Sequence, residues 1–348
     1  MPAPLVLLGP QAPHANLPAA LHAALAAAAP PAHRARGQVL VITAGWRHAE
    51  ADDTYVRAEI HPAGESLPFY RAFDRVVAVA PELTGAYRAA QQRIRRLKAL
   101  YRMRLGPALQ VVRRLLPRLA EAPDLVGPDL EAALQAVRDI DRQFLERSDA
   151  EHRAFDETWR PLEHPEVARI RARAAQWLAE ARGLVLGGGH VGVLRNRLAF
   201  FDLGPLVREA HADGMTVAGW SAGAMVLSSR IVLFHDDPPH GSGDPELFDR
   251  GLGLFDGMVL FPHAPQRLRL DDALRVAALA GRFRPERSIG LDSGAVLSLE
   301  DGVWAARGHE GATLELCRDG VVRALPLGPL PPSPCEPFAG GGDDASDP

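Results

Sequence analysis

Five short apolar runs constrain the fold of this chain more than any other feature. Pro4 to Gly9, Gln38 to Thr43, Arg75 to Ala80, Gly183 to Leu186 and Met215 to Gly219 are largely apolar. None shows the in/out alternation of a half-exposed strand, and helix-forming stretches separate them. Strands buried on both faces and joined by helices make a parallel sheet covered on both sides, so an α/β fold is expected. Asn16 is placed to cap an alanine-rich helix from Leu17 to Ala29, which Pro30-Pro31 would stop. From Ser288 onward the pattern changes. Short strands are separated by Asp301-Gly302 and Asp319-Gly320, which are strong hairpin signals, so an antiparallel meander is expected at the C-terminal end.

The third and fourth runs are separated by far more chain than a crossover helix requires. Leu83 to Arg182 reads as helix after helix, punctuated by Gly106-Pro107, Pro117, Pro123 and Gly127-Pro128. Ala90, Ile94, Leu97, Tyr101 and Leu105 share one helical stripe. From Tyr87 to Leu119 the segment carries many arginines and no acid, whereas Glu121 to Glu180 is acid-rich. A basic helix paired with an acidic one in a hairpin accounts for this; the other outcome is a surface for an anionic partner or for a homo-oligomer. The expected layout is one catalytic α/β domain over 1–329, with a helical insertion at 83–182 and a disordered Pro/Gly/Asp-rich tail at 330–348.

Composition excludes several function classes. Across 348 residues the net charge is −4, so nothing in the total points to nucleic acid or a membrane surface. Cys317 and Cys335 form neither a disulfide framework nor a metal spacing, and no cofactor or metal is expected. The first residues lack a basic leader, and no stretch is long and apolar enough to span a bilayer, which together suggest a cytoplasmic protein.

The chemistry is expected at Gly219-Trp220-Ser221-Ala222-Gly223, where a strand runs through a tight turn into helix-favouring Ala-Met-Val-Leu. The Gly-x-Ser-x-Gly pattern suits a nucleophile elbow, and the Ala222 amide, at a helix N-terminus, can bind an oxyanion. A serine hydroxyl is a weak nucleophile that needs a base, and the base needs an orienting group. Asp236 or Asp237 and the Pro-bracketed His263 each follow an apolar strand and supply these roles in the order Ser, acid, His. Gly187-Gly188-Gly189 can present a bare amide at the same sheet edge. Its continuation, Gly189-His190-Val191-Gly192, completes no phosphate-binding pattern.

Three blocks resemble the aspartyl dipeptidase (peptidase E) and cyanophycinase family of serine peptidases, a branch of the class I glutamine amidotransferase-like fold. They are Leu184 to His190, Ala218 to Ala224, and Gly251 to Phe255 through Phe261-Pro262-His263. Ser288 to Asp292 is similar to a late strand of that family, and the spacing from Ser221 to its Asp loop favours Asp236. The resemblance implies a three-layer sandwich around the sheet. It also implies Ser221 as nucleophile, His263 as base and Asp236 as the acid, with Gly189 and Ala222 amides as oxyanion hole and a small acidic, Asp-containing peptide or isopeptide as substrate. Arg267, Arg269 and His190 are candidates to hold its carboxylate, although His190 stands where the family usually has Asn. Two other readings are an α/β-hydrolase esterase and an inactive amidotransferase-like domain that binds a partner through its helices.

Overall fold

The computed structural model describes residues 3–333 except 55, 57–59, 61–63 and 237–242. In chain order the strands are β1 (Leu5–Leu8), β2 (Val39–Ile42), β3 (Glu65–Ser66), β4 (Gly183–Leu186) and β5 (Thr216–Trp220). They continue with β6 (Arg230–Leu233), β7 (Glu246–Arg250), β8 (Met258–Pro262), β9 (Arg287–Leu291) and β10 (Ala295–Glu300). The last are β11 (Val303–Gly308), β12 (Thr313–Leu316), β13 (Val322–Ala324) and β14 (Gly328–Pro329). The helices are α1 (Leu17–Ala27), α2 (Phe69–Val79), α3 (Pro81–Leu115), α4 (Pro123–Trp159) and α5 (Pro165–Glu180). Then come α6 (Val191–Phe200), α7 (Leu203–Ala212), α8 (Ala222–Leu227), α9 (Ala264–Arg267) and α10 (Ala273–Phe283).

An eight-stranded sheet in the order β14-β11-β10-β1-β5-β4-β2-β3 forms the centre. Its β1, β5, β4, β2 and β3 run parallel, and β10 and β11 add antiparallel strands at one edge. Alternate residues feed two cores: Leu5, Leu7, Leu40, Ile42, Leu184 and Leu186 on one face, Val6, Leu8, Val39, Val41 and Val185 on the other. That explains the runs without alternation, since each face buries its side chains at about 1.5–3 kcal/mol apiece. Leu17, Leu21 and Leu25 of α1 cover the second face, and the larger core beneath the other helices covers the first. A smaller sheet, β13-β12-β9-β8, stands beside it, with β8 and β9 parallel. Asp301-Gly302 turns β10 into β11, and Asp319-Gly320 lies between β12 and β13, as their hairpin chemistry requires.

Two local expectations are corrected. Arg75 to Ala80 is not a strand: it lies in α2 and the residue after it, whose buried positions are Phe69, Ala72, Phe73 and Val76. That spacing is helical, and upstream Phe69 and Phe73 set the period that the Val-rich end alone conceals. The edge strand is instead the two-residue β3. Asn16 does not cap α1 with its side chain. The Gln11 Oε1 accepts from the amides of Leu17 (2.8 Å) and Asn16 (3.0 Å), and the Asn16 amide oxygen accepts from Gln11 Nε2. A longer side chain reaching back from the preceding loop thus serves the orphan amide.

Between β3 and β4 the chain is helical throughout, with α3 and α4 packed as an antiparallel hairpin. The basic α3 meets α4 through a two-pronged pair of Arg93 with Glu151 and a hydrogen bond from Arg104 to Gln143, whereas Lys98 and Arg102 pair with Glu246 and Arg113 with Asp244, at and just before β7. α3 and α4 continue across Pro107 and Pro128. An interior proline costs about 3 kcal/mol of helix stability. In α3 the buried stripe of Tyr101, Leu105, Leu109 and Val112 spans the missing hydrogen bond and offsets that cost. Cys317 is buried and disulfide-bonded, which its sequence position did not suggest; Cys335 and residues 334–348 of the expected tail lie outside the described residues. Among the described residues no helix is long and apolar enough to cross a membrane.

Candidate active site

The turn between β5 and α8 is strained. Ser221 has φ 49° and ψ −114°, a conformation that costs a non-glycine residue on the order of 1–3 kcal/mol. Close packing holds it there. A Cβ on Gly223 would lie 2.1 Å from the Leu186 carbonyl oxygen, and one on Gly219 would lie 2.8 Å from the Gly223 carbonyl carbon. Only glycine fits on either side, so the Gly-x-Ser-x-Gly pattern is a steric requirement of this turn. The Ser221 amide donates to Leu8 O (2.9 Å), and its carbonyl accepts from Met225 N (3.1 Å), which pins the turn to β1 and α8.

His263 follows β8 in the smaller sheet and is also left-handed (φ 62°, ψ 31°). Its Nε2 lies 3.2 Å from Ser221 Oγ, within hydrogen-bond reach. Its amide donates to Leu291 O (2.9 Å) at the end of neighbouring β9. Burial, and then the Arg267 cation, hold the His263 pKa below the usual imidazole value, while Asp292 acts against them. A neutral imidazole at neutral pH is the form a general base needs.

The acid beside His263 is Asp292, and not Asp236. β8 and β9 are parallel with Pro262 opposite Leu291, so the residues that follow them, His263 and Asp292, emerge together. Asp292 Oδ1 accepts from Ser293 N (2.8 Å) and Gln266 Nε2 (3.1 Å), which fixes the carboxylate. Gly9, just past β1, packs so tightly on Asp292 that a Cβ there would lie 1.9 Å from its carbonyl oxygen. Asp236 is occupied elsewhere. Its carboxylate takes two hydrogen bonds from Arg275 (2.6 and 3.2 Å) and one from the Arg269 amide (2.6 Å), and its own amide donates to Arg267 O. It braces the segment after His263 without bonding to the ring. Asp237 lies outside the described residues.

Within the glycine triplet, the Gly187 amide donates to Ile42 O (2.8 Å), and the His190 amide donates to Gly45 O (2.9 Å). Gly188 and Gly189 make no such bond among the described residues. Gly189 has φ +104°, which turns the backbone at the end of β4, and a Cβ on Gly188 would come 3.4 Å from Ser221 Cβ. The triplet therefore stands beside the serine. The Ala222 amide is the first donor of α8, one of the groups a helix N-terminus leaves unpaired.

None of the three residues expected to hold a carboxylate lines the cleft at the serine, although the Arg267 charge reaches the His263 ring. His190 is exposed and turns its Nδ1 back to accept from Val193 N (3.2 Å), capping α6. Burial, and then Arg47, lower its pKa. Arg267 lies 5.9 Å over the Phe234 ring, and Arg269 lines a separate small cavity beside Asp236 and Arg275. The cleft that does open on Ser221 and His263 has a volume of about 510 Å3 and lies at the carboxyl ends of the parallel strands. Trp46, Trp220, Leu17, Val56 and Ile60 are prominent in its walls.

With this geometry established, residues 143–304 match peptidase family S51. The S51 region begins inside α4 and runs to β11, so it holds Ser221, His263, Asp236 and Asp292 but leaves out β1, β2 and the first half of the helical hairpin. The chain is also similar to Peptidase E of Shewanella sp. (strain W3-18-1) and to Peptidase E of Shewanella putrefaciens (strain CN-32 / ATCC BAA-453). Each is 38% identical over 63 residues, which are 18% of this chain and 27% of the relative. The chain thus spans about a quarter of the length of these curated relatives. A crystal structure of a peptidase from an acI-B1 Actinobacterium aligns with 94% of this chain and 95% of its own, at 15% identity and a TM-score of 0.48.

Proposed function

We propose that this protein is a serine-type peptidase that cleaves a small peptide or isopeptide bond through an acyl-enzyme. The observation that carries the reading is the Ser221 hydroxyl on a strained elbow, 3.2 Å from His263 Nε2. The S51 match supports peptide-bond chemistry. In this reading Ser221 Oγ attacks the carbonyl carbon while His263 Nε2 takes its proton. The carbonyl oxygen becomes an oxyanion, held by the amides of Gly189 and Ala222. The tetrahedral adduct collapses as His263 returns the proton to the departing amine. Water then attacks the acyl-enzyme by the same route and restores Ser221. Asp292 stabilises the transient imidazolium through its charge, taking the role first expected of Asp236.

The test is covalent. A fluorophosphonate should label the wild-type protein at Ser221, as read by peptide mass, and Ser221→Ala should take no label. Absence of labelling in a folded wild-type protein would sink the proposal and favour the inactive, partner-binding reading. A labelled protein that turns over aryl esters but no dipeptide would favour the esterase.

A further inference from the structure

We infer that the helical insertion serves the active site through Arg113, a positioning residue that fixes the segment after His263 by way of Asp244 and Asp236. The inference rests on the hydrolase reading, because it assigns a role in the reaction of that same site.

The path starts on α3, where Arg113 pairs with the buried carboxylate of Asp244. Gly243, the residue before, is left-handed (φ +74°) and lies against Asp236: a Cβ there would come 2.3 Å from the Asp236 carbonyl oxygen. Arg275 of α10 ties the same two residues together. It donates to both carboxylate oxygens of Asp236 and, at 3.2 Å, to Gly243 O. Asp236 and Gly243 therefore form one fixed unit with Asp244 beside it. From that unit the path reaches the base. Asp236 Oδ2 accepts from Arg269 N (2.6 Å), and Asp236 N donates to Arg267 O (2.8 Å). The Arg267 amide in turn donates to His263 O (3.1 Å). Leu109 and Arg113 also wall a small cavity with Asp236, Leu268 and Arg269, so α3 faces this segment directly as well as through the bonds.

The segment needs such a brace. His263 is held in left-handed backbone, and α9 after it has four residues, too few to stand on its own helix bonds. Strained backbone persists only where its surroundings over-determine it. A misplacement of about 1 Å at a reacting group can cost on the order of a hundredfold. The segment also carries a charge that acts on the base. Burial, then Arg267, lower the His263 pKa, while Asp292 at the end of β9 opposes them. A segment that drifts takes the Arg267 cation away from the ring, and the pKa rises.

The probe is a fluorophosphonate, whose second-order rate of labelling at Ser221 reads how well His263 activates the serine. Arg113→Met keeps the aliphatic stem and removes the donors, whereas Arg113→Lys keeps a cation. Arg113→Met should slow labelling about tenfold and move the acid limb of its pH profile to higher pH. Arg113→Lys should restore most of both. Asp244→Asn, which breaks the pair from its other side with the side-chain shape kept, should repeat the loss. Added to Asp236→Asn, Arg113→Met should cost less than about a further twofold, because the two act in series. Wild-type labelling with an unmoved acid limb in a folded Arg113→Met or Asp244→Asn, or losses that multiply in the double variant, would overturn the inference and leave the hydrolase reading intact. If wild-type protein takes no label, the hydrolase reading fails, and NMR titration of the His263 ring decides the inference. A pKa raised by Arg113→Met upholds the positioning of His263, and an unchanged one overturns it.

Discussion

Two polar clusters in this molecule differ in how much bonding capacity they leave unused. Around Tyr101, Asp141 and Arg282 every side-chain nitrogen and oxygen has a partner. Arg282 gives Asp141 two hydrogen bonds (2.6 and 2.7 Å), a third to Tyr101 Oη and a fourth to Pro245 O. Tyr101 in turn donates to Asp141 and accepts from Leu247 N. All three side chains are buried, and together they tie α3, α4 and α10 to the start of β7. Around Ser221, His263 and Asp292 capacity remains. The imidazole and the hydroxyl face a cleft, and the amides of Gly188 and Gly189 have no acceptor among the described residues. A buried charge can be kept for stability only when fully paired, whereas catalysis needs donors held in place with their partner still to arrive.

The sharpest way to break this contrast is at the serine. Ser221→Ala should lower kcat/KM by on the order of a millionfold while leaving the urea midpoint near that of the wild type. Asp292→Asn follows, with a loss of roughly a thousandfold to ten-thousandfold in kcat at neutral pH and little change in fold, as for the acid of a triad. If Asp236→Asn cost as much as Asp292→Asn, the assignment of the acid would be reversed. In the closed cluster the effect should fall on stability. Asp141→Ala strands the buried Arg282 cation and should cost about 3–5 kcal/mol in urea unfolding, with kcat per folded molecule retained. Asp236→Asn is intermediate, with about a tenfold fall in kcat/KM because the segment after His263 loosens.

The smallest effect concerns pH. As base, His263 must be neutral, so activity falls as pH drops through its pKa, which lies below the ordinary imidazole value. Arg267→Gln removes a cation that disfavours the protonated ring, so the pKa rises and the acid limb of kcat/KM should move to higher pH. Asp292→Asn removes the opposing carboxylate, so the acid limb of its residual activity should move to lower pH. Limbs that move together would show that neither charge acts on the ring as described.

How much of this is legible in one dimension follows from how local each determinant is. The elbow is local: Gly219, Ser221 and Gly223 are set by contacts within one turn and its neighbouring strand, so the motif itself identifies it. The parallel strands are legible because burial on both faces leaves a continuous apolar run. β3 is not, since two residues hold no pattern. Asp292 could not be assigned because its place depends on β8 and β9 lying side by side. Nothing in their separation along the chain states that register, although the resemblance had singled out Ser288 to Asp292. The cleft was equally out of reach, since its walls come from five segments far apart in the chain. The resemblance to peptidases of acidic substrates pointed to Arg267 and Arg269, and neither lines that cleft.

Ser221 stands at the end of β5 in the large sheet, whereas His263 and Asp292 extend from β8 and β9 of the small one. The 3.2 Å between hydroxyl and imidazole therefore gauges how the two sheets sit against each other, with the contact of Gly9 on Asp292 as one of the stops. Sliding by an ångström would leave both sheets and their hydrogen bonds intact yet take the nucleophile out of reach of its base. Heat should then extinguish turnover at a temperature where circular dichroism still reports a folded chain, and cooling should restore it without refolding.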